Sequence, residues 1–300
     1  MILLLCILSG SDVFASPGRR ADREWKERLH QYLEKKGSFK DVVIFLKDEQ
    51  QPADLGGYRG RGRMERVREL EQRVRKNRSN LVKHLLKPER KRHIKRIKKY
   101  EHINAITIKA SKKLIEALSK RSDVEAIYEN YEIVLPPVPE GEAAPIPSDP
   151  QWHIHRTGVE EARTDGACPD SSCDGTDITI IIVDTGIDVS HDEISANWDP
   201  SLWQDCTSDG YTSPVDNDRH GTHVAGIAVG KEYGVAPGAK IGAIRIFDDT
   251  RHSNVGNALC ALDKTIEWAG ADPKIKVMNN SWGLDYGAST DQYWEDFEII

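Results

Sequence analysis

Three hundred residues, 38% of them hydrophobic, with a mean hydropathy of −0.56, are enough for a core and for two domains in a water-soluble chain. The net charge of −6 hides a division: residues 16–135 hold 32 Lys/Arg against 18 Asp/Glu, whereas residues 136–300 hold 10 against 29. Halves of +14 and −19 fit either a nucleic-acid arm on an acidic body or two domains that attract each other, and the motifs must separate these.

The chain opens on Met1-Ile-Leu-Leu-Leu-Cys-Ile-Leu8 and reaches Val13-Phe-Ala15 before Ser16-Pro17. This apolar run is too short to cross a bilayer and ends as a signal-peptide cleavage site does, although the usual basic leader is missing. Residues 1–15 are therefore read as a signal peptide and the product as secreted, in preference to a buried strand or helix with nothing nearby to pair with. No other apolar stretch approaches the length of about 18 residues that a membrane span needs.

Beyond the leader, Val42-Val-Ile-Phe-Leu46 has the length and apolar character of a strand. Met64, Val67, Leu70, Val74, Leu81 and Leu85 then recur at near-helical spacing until Pro88 stops the helix. A strand over 103–108 follows, then a helix carrying Leu114, Ile115 and Leu118 with Ser111 as its N-cap, then strands at 124–127 and 133–135. That order predicts a small α+β sandwich of ferredoxin-like type over residues 16–135. Residues 136–149, with five prolines and no large aromatic, read as an extended linker open to proteases.

From residue 150 the pattern changes. Ile178 to Val183 is nearly continuous and β-branched, as in a strand covered on both faces. A helix opening at His220, a strand over 241–247, a helix over 259–268 and a strand around Val277 alternate after it, which predicts a doubly wound α/β domain with a parallel sheet.

Asp184 stands at the carboxyl end of the buried strand, in Ile181-Ile-Val-Asp-Thr-Gly186, where open parallel sheets place their active sites. By itself that motif equally fits an aspartic protease or a plain strand end. Asp218-Arg-His-Gly-Thr-His-Val-Ala-Gly226 adds a histidine at a helix start with small residues behind it, able to take a proton while a buried carboxylate orients its other nitrogen. A metal site on His220 and His223 is the rival reading, but no third ligand is suitably spaced. Val277-Met-Asn-Asn-Ser-Trp-Gly283 supplies an apolar strand ending in small and polar residues, suited to pairing with an extended peptide. Cys168, Cys173, Cys206 and Cys260 remain after the signal, an even number suited to an oxidising compartment; Cys168 and Cys173 could staple one loop, and free thiols at Cys206 and Cys260 stay open.

Taken in order, Asp184, His220 and Ser281-Trp-Gly283 resemble the subtilisin-like serine peptidases (S8), from about Trp152 to residue 300. Gly234-Val-Ala-Pro-Gly-Ala239 and Ile266-Glu-Trp-Ala269 stand where that family has counterparts, residues 40–135 resemble its inhibitor-type propeptide, and the segment from Asn279 through Tyr293-Trp294 looks nearest to the bacillopeptidase F branch. The resemblance implies that Asp184 orients His220, that His220 is the general acid–base, and that Ser281, Trp282 and Gly283 line the substrate cleft. It further implies polypeptide substrates and a propeptide, residues 16–135, bound to the peptidase domain.

The sequence departs from the family after Gly283: neither the oxyanion asparagine in a Gly-Asn setting nor the Gly-Thr-Ser of the nucleophile follows, and Ser289 is too close to the cleft strand to be it. The expectation is a fragment, 150–300, of a longer peptidase domain, inactive as it stands; a noncatalytic binding or inhibitory module is the alternative. No cofactor is expected for the chemistry and no metal site is assigned. The family's structural calcium has only Asp170-Ser-Ser-Cys-Asp-Gly175 to point to, and a solvated disulfide loop accounts for that segment better. Nucleic-acid binding by the basic stretch 59–99 is not expected, because it lacks interleaved aromatics and follows a signal peptide.

Overall fold

A computed structural model describes residues 4–7, 21–47, 61–135, 152–164 and 173–284. In chain order the elements begin with β1 (Leu4–Ile7), α1 (Ala21–Glu34), β2 (Phe39–Leu46), α2 (Arg61–Leu85), β3 (Ile94–Lys99), β4 (Ala105–Ser111), α3 (Lys112–Leu118), β5 (Val124–Glu129) and β6 (Glu132–Val134). They continue with α4 (Trp152–Thr157), α5 (Val159–Thr164), β7 (Thr179–Asp184), β8 (Trp198–Asp205), α6 (His220–Val229), β9 (Lys240–Arg245), β10 (Ser253–Asn254), α7 (Val255–Ala271), β11 (Ile275–Asn280) and β12 (Gly283–Leu284). The linker 136–149, the acidic loop 165–172 and residues 285–300 lie outside the described residues. The chain divides into two compact units, one of residues 1–8, 133–253 and 272–283, the other of residues 9–132, 254–271 and 284–300.

In the first unit β8, β9, β7 and β11 form a parallel sheet in that order. The run Thr179-Ile-Ile-Ile-Val-Asp184 is buried at every position, since β7 is central and covered on both faces. Ile180, Ile182 and Ile241 pack with Ala225 and Val229 of α6, and this is why the small residues of α6 lie on its buried side. The strand β8 escaped the sequence reading because Asp199-Pro-Ser201 breaks its alternation and shifts its register against β9.

At the other edge β1 pairs antiparallel with β11, Leu4 opposite Asn280 and Ile7 opposite Val277. The expectation that nothing pairs with this leader segment does not hold: a short apolar run has met an otherwise unpaired sheet edge.

In the second unit β3, β4, β2 and β5 form an antiparallel sheet in that order. With α2 and α3 this is a strand–helix–strand–strand–helix–strand chain with its first and third strands central, the split βαβ arrangement of a ferredoxin-like sandwich. Ser111 caps α3, its hydroxyl accepting from the Leu114 amide at 3.4 Å. Two elements of this unit differ from the sequence reading. Residues 21–34, to which the sequence reading assigns no element, form the helix α1, whose Trp25, Leu29 and Leu33 enter the core. The strand β3 was hidden by its charge: Ile94-Lys-Arg-Ile-Lys-Lys99 is an edge strand, where lysines on the open side discourage further pairing.

The helix α7 belongs to this unit. Asp263 on it accepts from the backbone amides of Glu101 at 2.9 Å and His102 at 2.6 Å, and Tyr100 donates to the Gly256 carbonyl at 3.0 Å. Burial disfavours a charged His102 ring, but the Asp263 carboxylate 3.3 Å away outweighs it and holds the histidine above its ordinary pKa. Val43, Ile103 and Ala105 meet Val255 and Leu259 in an apolar patch beside these polar contacts.

Cys173, Cys206 and Cys260 are each disulfide-bonded, which closes the free-thiol alternative for the last two.

Candidate active site

Asp184 ends the central strand with its side chain fully buried. Its carbonyl accepts from the Ile246 amide at 2.9 Å, which fixes the strand end against the residue after β9. Its Oδ1 accepts from the Thr185 amide at 2.7 Å and lies 2.7 Å from His220 Nδ1. A carboxylate can only accept, so Nδ1 carries the proton and Nε2 is left as the basic nitrogen. Asp184 Oδ2 is buried with no hydrogen-bond partner among the described residues.

His220 is the first residue of α6, with a quarter of its side chain exposed. The bond to Asp184 raises its pKa against the opposing effect of burial, and the carboxylates of Asp218 and Asp216 add to the rise. Burial pushes the Asp184 carboxyl up, against the pull of His220 and the Thr185 amide. A second proton on the ring would face the Asp184 carboxylate 2.7 Å away, so that neither buried charge would stand alone.

Two close approaches bring strand end and helix start together. Gly186 has φ +124°, and a Cβ there would lie 1.8 Å from the Val215 carbonyl oxygen. At Gly221 a Cβ would lie 2.2 Å from the Gly186 carbonyl oxygen. Arg219, immediately before His220, is a non-glycine residue at φ +80°.

Asp216 joins these parts and was missed by the sequence reading, which began its motif at Asp218. Its Oδ1 accepts from the Thr185 hydroxyl at 2.8 Å and from the Asp218 and Arg219 amides at 3.2 and 2.9 Å. Its Oδ2 accepts from the amide and hydroxyl of Thr222 at 2.8 and 2.5 Å. An Asp just ahead of a helix start is a capping signal in sequence, but its link to Thr185, 31 residues earlier, is not.

The third predicted segment lies alongside. Asn280 of β11 is in register with Val183 of β7, so Ser281, Trp282 and Gly283 follow directly beside the strand end that carries Asp184. The Trp282 indole donates to the Val183 carbonyl at 3.0 Å, and the Ser281 hydroxyl accepts from the Asn279 amide group at 2.9 Å. Gly283 is exposed, with open space where a Cβ would stand. The topology places β6 between β10 and β12 in a short three-stranded sheet.

His223 is exposed, one turn further along α6. Among the described residues no three His, Cys, Asp or Glu side chains are grouped to hold a metal, so the two-histidine alternative gains nothing from the geometry. Of the weighed calcium loop only Cys173, Asp174 and Gly175 are described; Asp174 Oδ1 already accepts from the Thr176 amide at 2.8 Å.

In comparison with known proteins, residues 175–296 match the subtilase family, peptidase S8. That segment, less than half of the chain, is subtilase-like. It is 35% identical over 144 residues to subtilisin-like protease 3 of Pseudogymnoascus destructans, covering 44% of this chain and 32% of that protein. It is 35% identical over 149 residues to fervidolysin of Fervidobacterium pennivorans, covering 45% of this chain and 20% of that one. The subtilase match thus spans about a third or less of these two relatives' own length. Among solved structures, fervidolysin superposes with a TM-score of 0.48 at 20% identity, over 84% of this chain and 37% of that one. The epidermin leader peptide processing protease EpiP of Staphylococcus aureus (S393A mutant) gives 0.48 at 18%, over 79% and 49%.

Proposed function

We propose that this chain is part of the precursor of a secreted serine endopeptidase. The observation that carries the reading is the buried Asp184 carboxylate 2.7 Å from His220 Nδ1 at the carboxyl end of a central parallel strand. Acyl transfer through this pair needs a serine hydroxyl at His220 Nε2. The imidazole takes its proton as the oxygen attacks the peptide carbonyl, Asp184 stabilises the imidazolium, and the proton then passes to the leaving amine. No serine hydroxyl is hydrogen-bonded to the His220 ring among the described residues, and on this reading the nucleophile and the oxyanion donor lie outside them. Ser281, Trp282 and Gly283 would border the bound peptide, whose backbone adds to the exposed edge at Gly283. The disulfide-bonded cysteines support an oxidising, extracellular location.

The 300-residue chain is expected to hydrolyse neither casein nor a chromogenic peptide, and to leave a fluorophosphonate probe unbound. Protein expressed from the intact gene is expected to bind the probe at one serine and to lose that labelling on His220→Ala. Labelling of a serine in the 300-residue chain would overturn the assignment of the missing nucleophile; an intact gene product that neither labels nor hydrolyses would replace the peptidase with a noncatalytic binding module.

Residues 16–135 are read as an intramolecular inhibitor and chaperone, connected through the linker 136–149. Support comes from the opposed charges of +14 and −19. Charges of that size steer encounter over roughly a Debye length, about 8 Å at physiological salt, while apolar contacts set the residual affinity. Added in trans to the active enzyme, residues 16–135 should inhibit it, with an association rate that falls as ionic strength rises. Absence of inhibition sinks the assignment, and inhibition at a salt-independent rate sinks its electrostatic part.

A further inference from the structure

We propose that Asp216 is a positioning residue for the Asp184–His220 pair, a carboxylate that ties the strand end carrying one to the helix start carrying the other. The inference rests on the peptidase reading of that pair. His220 must present its ring to Asp184 at a fixed distance, and its backbone is located by its neighbours on both sides. Asp216 holds the amides of Arg219 before it at 2.9 Å and of Thr222 after it at 2.8 Å. Gly221, between them, donates its amide at 2.9 Å to Thr185 Oγ1, and that hydroxyl donates at 2.8 Å to Asp216. Thr185 in turn follows Asp184 and gives it an amide bond.

Three consequences follow from one side chain. Arg219 keeps a left-handed conformation that a non-glycine residue seldom adopts, because its amide is captured there. The first turn of α6 has the Thr222 amide satisfied by the carboxylate and the Gly221 amide by the hydroxyl that donates to it. The two halves of the pair, 36 residues apart in sequence, share a network that registers one against the other. Asp218 is the contrast: it adds negative charge near His220, but its carboxylate is paired with Arg251 at 2.6 Å. The charged groups facing His220 are thus Asp184, Asp216 and Asp218, with Arg219 beside it and Arg251 on Asp218.

The test uses the 300-residue chain with nitrogen-labelled histidine, reading the low-field Nδ1–H resonance of His220, its titration, amide exchange and the urea midpoint. In wild type the resonance is expected. Asp216→Asn should lose it to solvent exchange, lower the His220 pKa, and speed exchange of the Gly221 and Thr222 amides roughly tenfold, the size of one net hydrogen bond lost. Asp218→Asn removes the same charge and should keep the resonance. If Asp216→Asn fails to fold, Thr185→Val decides: it leaves the Arg219 and Thr222 amides on Asp216, removes the hydroxyl that links Asp216 and the Gly221 amide to the Asp184 strand end, and it too should lose the resonance. A cap with no positioning role lowers the urea midpoint and leaves the resonance in place, and that result in folded Asp216→Asn or Thr185→Val overturns the proposal. A wild-type chain without the resonance at any pH would instead sink the peptidase reading beneath it.

Discussion

Replacing Asp184 by asparagine is expected to lower kcat about 10⁴-fold in protein that carries the nucleophilic serine, with little change in substrate binding. The effect is large because the asparagine amide can donate to Nδ1, which moves the ring proton to Nε2 and leaves nothing to accept the serine proton. The 300-residue chain shows the same change through its acid–base behaviour. With Asp184 present, the hydrogen bond holds the His220 pKa above its ordinary value of 6.5. The charged pair then contributes stability that is fully present below pH 6.5 and is lost as pH rises through the raised value. In Asp184→Asn burial remains and only the Asp218 and Asp216 carboxylates oppose it, so the pKa should fall and the stability gained below pH 6.5 should shrink. Urea midpoints on either side of neutrality, together with the His220 titration, measure this. A titration unchanged by the substitution would remove Asp184 from its assigned role.

Gly186→Ala is expected to cost about 3 kcal/mol or more, a large part of the 5–15 kcal/mol that usually separates folded from unfolded. Two terms add. A Cβ at Gly186 would stand 1.8 Å from the Val215 carbonyl oxygen and 2.9 Å from its carbon, so backbone has to move. That carbonyl cannot yield freely, because it accepts from the Ile187 amide at 3.1 Å. The conformation at φ +124° adds strain of its own. Gly210 is the control: its φ is +72°, nothing lies within 4 Å of its Cβ position, and alanine there should cost only about 1 kcal/mol. Equal urea midpoints for the two variants would show that the contact is not needed. Since the displaced backbone leads through Asp216 to His220, Gly186→Ala should also lose the His220 low-field resonance.

Much of the site was legible because its signals are local. A β-branched run ending in Asp184, and a histidine opening a helix of small residues, declare themselves within a few positions, as does Ser111 at the start of α3. The opposed charge of the two halves, the cysteine count and the two fold classes were likewise open to reading from composition and period alone. Only the tertiary structure decided the rest, in each case because the deciding partner is distant in sequence. Asp216 is an ordinary loop aspartate until folding places Thr185 beside it. Arg245, in a strand that reads as apolar, is buried because Asp205 at the end of β8 and Asp209 and Asp249 from two loops converge on its guanidinium. The lysine-rich β3 is a strand because β4 offers it an edge, and β1 is one because β11 does. Periodicity reports which face of a segment is buried; it does not report which edge or carboxylate the chain will bring to meet it.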